Sequence, residues 1–259
     1  MDLLKTHKRR SRLSEFAYIA LNVAFAVALL LLIRGSQSPW LALTVVLLSK
    51  WRTFAVRPRF WFANIVANLV DVTVGVSIVA LLYAADGSLP LQIVITFFYI
   101  FWLLFIKPRS KRSYVAAQAG IAVFLGITSL SIISYSWNVF FFVLLMWVLG
   151  YIAARHVLGS YDEPRTVLYS LLTGFMFAEI GWISFHWLMA YQVTGFGAIQ
   201  LSQLALFTTL LCFVAERGYA SYNKHGTVKR NDIIMPISLT ASIMVAVFIM
   251  AIIFGSDAL

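Results

Sequence analysis

An all-α bundle of transmembrane helices is the fold class this chain predicts, and three observations predict it. Hydrophobic residues make up 61% of its 259 positions and charged residues 12%, against about 45–50% and about 25% in soluble domains. Apolar runs approaching the roughly 20 residues needed to cross hydrocarbon recur along its whole length. Basic residues gather between those runs, and successive clusters are separated by two runs rather than one.

Nine runs qualify as spans: 16–33, 39–49, 60–83, 90–106, 114–133, 137–154, 166–191, 196–214 and 233–254. The first follows the basic stretch "KTHKRRSRLSEF". It is too long for a signal-peptide core and has no small-x-small cleavage site after it, so it reads as a retained span. The second is short and crosses only if 35–52 is used; otherwise it re-enters and returns to the same side.

Charge arbitrates. With nine crossings, 19 of the 20 Lys and Arg residues share one face and only Arg34 lies on the other. With a re-entrant second segment, the cluster Lys50, Arg52, Arg57 and Arg59 lands opposite Lys5, Lys8, Arg9, Arg10 and Arg12. The excess of cytoplasmic Lys and Arg in membrane proteins therefore favours nine spans, N-terminus cytoplasmic and C-terminus outside. The remaining links agree. Outer connections at 34–38, 84–89, 134–136 and 192–195 are short, which favours antiparallel neighbours. Trp40, Trp51, Trp61, Tyr83, Trp137, Tyr161 and Tyr191 fall near span ends, where amphipathic rings sit at the interface.

The expected organisation is one multi-spanning domain over 1–259, with 1–15 a short basic cytoplasmic segment. Its partners are the lipid bilayer and the anionic headgroups that basic loops attract, with a proton or small molecule as substrate. The charge of +10 is explained by topology and does not call for nucleic acid. A plasma membrane, the bacterial inner membrane, is the expected location for so compact a chain. The single cysteine, Cys212, excludes an intrachain disulfide.

Ionisable groups inside hydrocarbon cost a few kcal/mol or more, so each is a functional hypothesis. Three lie well inside spans: Asp71, Glu179 and His186. Asp71 belongs to "NIVANLVDVTVG", where Asn64, Asn68, Asp71 and Gly75 are spaced four, three and four apart and share one helix face. Interhelical hydrogen bonding explains the asparagines but not a carboxylate. Glu179 lies mid-span on a helix running in the same direction, so the two carboxyls are expected at similar depth. His186, seven residues beyond Glu179, lies about 10 Å farther toward the outside and cannot bond to it directly. With no Lys or Arg expected deep in a span, neither carboxylate has an evident cationic partner. Tyr99 and Asn22 are the mid-depth polar neighbours available. Glu216, beside Arg217 at a span end, and Glu15 are expected to reach water.

The chemistry absent from the sequence narrows the classes. There is no H-E-x-x-H, no nucleophile motif around a span serine, no P-loop or dinucleotide fingerprint, no span lysine for a Schiff base and no arginine ladder. No cofactor and no metal is implied. Three readings follow. The first is a small proton- or cation-linked carrier with a midplane site at Asp71, Glu179, Asn68, Asn64 and Tyr99, and His186 on the outer path. The second is a non-catalytic scaffold or accessory subunit. The third, an enzyme acting on a lipid-linked substrate through Glu179 and His186, is disfavoured by loops too short to build a pocket.

Overall fold

The computed structural model describes residues 12–55, 57–134, 136–186 and 202–255. These form nine helices: α1 (Arg12–Ser36), α2 (Pro39–Leu48), α3 (Trp61–Ala84), α4 (Leu89–Phe101), α5 (Arg112–Ile133), α6 (Val139–Gly159), α7 (Thr166–His186), α8 (Gln203–His225) and α9 (Arg230–Gly255). No strand occurs among the described residues. The protein is an all-α polytopic membrane bundle, in which seven of the described helices are long and apolar enough to cross a bilayer. The remaining two are α2, with ten residues, and α8, which carries Glu216, Arg217 and Lys224 in its second half.

Long-range hydrogen bonds fix the alternation of direction. At one end, Tyr18 of α1 donates to the Leu103 carbonyl, Gln118 of α5 to the carbonyls of Ile106 and Arg109, and Arg112 to the Ser160 carbonyl at the end of α6. This is the basic end. At the other, Arg34 donates to Gln92 at the start of α4, Gln92 to the Leu82 carbonyl, and Ser131 meets Ser202 at 3.2 Å. Each helix runs opposite to the one before it. The two ends therefore carry the segregated charge that the sequence displays.

Two apolar cores build the bundle. The first joins α1 to α4 around Leu29, Val46, Val74, Ile78 and Tyr99. The second joins α5 to α8 around Val123, Ile127, Met146 and Phe177. Outward-facing aromatics such as Phe97, Phe98, Phe140 and Phe175 are exposed, as expected when lipid rather than water is the solvent.

Two local features position the polar centre. α1 turns into α2 through Gln37, whose φ is +48°, and Pro39 starts α2 where its missing N–H costs nothing. Ten residues carry α2 only about 15 Å back, half the hydrocarbon thickness. It leans closely on α3 at Gly75, where a Cβ would come within 2.8 Å of Val46. α4, for its part, loosens into a π-helical turn at Trp102–Ile106, closed by the Lys107 N–H on the Trp102 carbonyl at 2.9 Å. Such turns redirect the residues that follow them and recur at functional sites.

Candidate functional site

Asp71 lies ten residues into α3, about 15 Å from its start. The sequence offered it no cation, and that expectation is corrected: Lys50 and Lys107 both reach Asp71 Oδ2, Lys107 at 2.9 Å. The physical reason lies in the two irregular segments. α2 stops half-way, so Lys50, two residues beyond it, stands near the depth of Asp71 instead of at the surface. The π-turn aims Lys107 back into the bundle. Asp71 and Lys50 side chains are each 13% exposed and Lys107 37%, so the charges meet where water screens them weakly.

A cavity of about 180 Å³ adjoins this cluster, lined by Asn68, Asp71, Trp102, Lys107, Gln118 and His156 among others. That is room for several waters or one small polar molecule. Its wall holds two buried polar atoms without a hydrogen-bond partner, Asp71 Oδ1 and the indole N–H of Trp102. A buried acceptor and a buried donor thus stand unpaired on two residues of one polar cavity, which folded proteins normally avoid. Gln118 is fully used: its amide N–H groups donate to the Ile106, Lys107 and Arg109 carbonyls, and its carbonyl lies 2.9 Å from His156 Nε2. It ties the end of the π-turn to α5 and α6.

The structure sorts the residues expected at the site. Asn68 lines the cavity with Asp71, and its amide donates to the Asn64 carbonyl one turn earlier. Tyr99 is buried, its hydroxyl 3.6 Å from where a Cβ at Gly75 would lie, one turn along α3 from Asp71. Asn22 is half-buried and its amide donates to the Tyr18 carbonyl of its own helix. Glu179 is not in the lining of this cavity; it sits on an exposed stripe of α7 with Phe175, Met176 and Ile183. His186 ends α7, and its side chain lies outside the described residues.

Sequence reading missed Lys50, Lys107, Gln118 and His156. The lysines carried a signal only in hindsight of geometry: each stands just past an apolar run, where surface location is the ordinary assignment. Glu216, expected to reach water, has a side chain 14% exposed and accepts from the Tyr161 hydroxyl at 3.1 Å. Among the described residues, no three His, Cys, Asp or Glu side chains are grouped to hold a metal ion. No family model, no curated protein and no solved structure matches this chain, so its residues and their geometry carry the functional reading.

Proposed function

We propose that the protein is a small proton-linked carrier whose exchange centre is Asp71 with Lys50 and Lys107. The observation that carries this is a single carboxylate shared by two ammonium groups at membrane depth, on a residue that lines a polar cavity. Two positive charges against one leave a net +1. A cation entering beside Asp71 meets repulsion until one lysine gives up its proton. Lysine protonation and cation binding then exclude each other beside one carboxylate, which is the coupling a carrier requires. The half-length α2 and the π-turn of α4 deliver the two lysines, and they are the elements whose small shifts would break one bridge and expose the cavity to one side. In this reading the basic end faces the cytoplasm of a bacterial cell.

The test is flux in proteoliposomes carrying an internal pH indicator, with an imposed pH gradient and a panel of monovalent cations. The wild type is expected to dissipate the gradient in a cation-dependent way, and Asp71→Asn to slow this at least tenfold. Lys107→Gln leaves a neutral Lys50–Asp71 pair and keeps the assay readable if Asp71→Asn does not fold. Folded variants with wild-type flux would sink the carrier reading. Loss of folding in both would favour an ion cluster that only holds α2 and α4 against α3.

A second reading, an accessory subunit, is favoured by Glu179. A carboxyl on a lipid-facing stripe is costly, and a partner helix supplying a donor would relieve it. Glu179→Leu should then leave the isolated chain folded and lower recovery of a stable complex from its native membrane. Equal recovery would count against this reading.

A further inference from the structure

Between α7 and α8 the bundle opens into a groove of about 950 Å³, near the top of the roughly 300–1,000 Å³ range of small-molecule sites. α5 and α6 form its floor through small residues, among them Ala116, Gly120 and Ala153. Thr173 and Phe177 of α7 and Leu210 and Phe213 of α8 form the walls. The two wall helices do not pack closely on each other, so the groove opens sideways toward lipid. Its apolar length ends at the basic end of the bundle, among Glu163, Glu216, Arg217 and Tyr219.

Charge decides the occupant. The charged side chains lining the groove are Glu163, Glu216 and Arg217, a net −1, in a chain whose total is +10. Both carboxylates are held in place by neutral phenols: Tyr219 donates to Glu163 and Tyr161 to Glu216. The two rings meet edge-on with centroids 5.1 Å apart. Phenol donors orient the carboxylates without neutralising them, and aromatic faces beside carboxylates suit an ammonium group. Arg217, ion-paired with Glu216 at 3.5 Å and half exposed, places a guanidinium at the mouth, and Arg112 lies over the Tyr161 ring at 4.9 Å. A head that carries an ammonium and a phosphate, on apolar tails, complements all of these at once.

We propose that this groove binds an aminophospholipid of the surrounding leaflet. Its acyl chains lie along the α5–α6 floor, its ammonium sits between Glu163 and Glu216, and its phosphate meets Arg217. The site is separate from the Asp71 cavity and does not depend on the carrier reading.

The test uses nanodiscs made from equal amounts of aminoethyl- and glycerol-headgroup phospholipids with identical chains. The protein is released into mild detergent, and retained lipids are counted by native mass spectrometry. The wild type is expected to keep the aminoethyl form about tenfold over its share in the bilayer, the effect of one charge-assisted contact. Glu163→Gln with Glu216→Gln should erase that preference while lipid is still retained. Gly120→Leu, where a Cβ would meet only Thr209 Cγ2 at 3.9 Å, should raise the groove floor into the path of the acyl chains and lower retention of either lipid. Retained lipid that mirrors the bilayer in the wild type would overturn the proposal, as would unchanged selectivity in the glutamine variant. Should the glutamine variant not fold, wild-type selectivity with Gly120→Leu decides: retention unaffected by obstructing the groove floor means lipid bound elsewhere.

Discussion

Asp71 accepts from two ammonium groups through one oxygen, while its other oxygen is buried without a hydrogen-bond partner. Removing one member of a buried ion cluster typically costs about 3–5 kcal/mol because an uncompensated charge remains. Losing Asp71 is therefore harsher than losing either lysine, since it leaves two like charges facing each other. At the basic end, Tyr161 illustrates a different balance. Burial first, then the Glu216 carboxylate to which it donates, raises the phenol above its ordinary 10.0. Tyr219 is raised likewise, by burial and then by its hydrogen bond to Glu163. The folded chain thus keeps these protons at a pH where the unfolded chain has released them. Their contribution to stability is complete below about pH 10 and is lost as the pH climbs toward the raised values. Denaturation followed from neutral to strongly alkaline pH should show that decline. Tyr161→Phe should make it shallower, and an unaltered curve would mean the phenol titrates freely.

At the scale of elements, α6 and α7 form the tightest seam. Gly174 of α7 lies against α6, where a Cβ would stand 2.9 Å from the Trp147 backbone carbonyl. A backbone atom cannot swing aside as a side chain can, so Gly174→Val should force the helices apart. Overpacking of this kind costs about 1–3 kcal/mol, measurable as a lower midpoint in thermal or denaturant unfolding in detergent. Gly174 and Ala178 stand four apart on α7, small residues that permit close helix contact. Packing assigns that contact within the chain, on the face of α7 opposite the stripe that carries Glu179. The helices themselves were legible: runs at 60–83 and 114–133 match α3 and α5 to within two residues at each end. The short second run, 39–49, likewise matches α2, but that α4 would close in a π-turn was not legible, because an i to i+5 bond leaves no mark in hydropathy.

The whole molecule is ordered by charge segregation. Gly35 and Gly87 stand at one end of the bundle and Gly159 at the other, and a Cβ at any of the three meets nothing within 4 Å. Cysteine at these positions, in a Cys212→Ala background, reports sidedness by reaction with a membrane-impermeant maleimide. In intact cells, Gly35→Cys and Gly87→Cys should label from outside, and Gly159→Cys only after permeabilisation. The reverse pattern would invert the topology. The two polar centres differ in size and place: about 180 Å³ beside Asp71, against about 950 Å³ between α7 and α8.

By itself the sequence determined a membrane-spanning helical bundle, since apolar length and basic clustering are properties of the chain that the bilayer reads directly. It also singled out Asp71, because a carboxylate in an otherwise apolar helix is conspicuous without any fold. Only the tertiary structure decided what Asp71 meets. Lys50 and Lys107 lie 21 residues before and 36 after it in the chain, and side chains so separated are joined only when helices of unequal length are packed side by side. The same packing turned Glu179 outward and brought Glu163 and Glu216 to one groove. Helix rotation about its axis, which hydropathy along the chain constrains weakly, is set by contacts such as Gly75 on Val46 and Gly174 on Trp147.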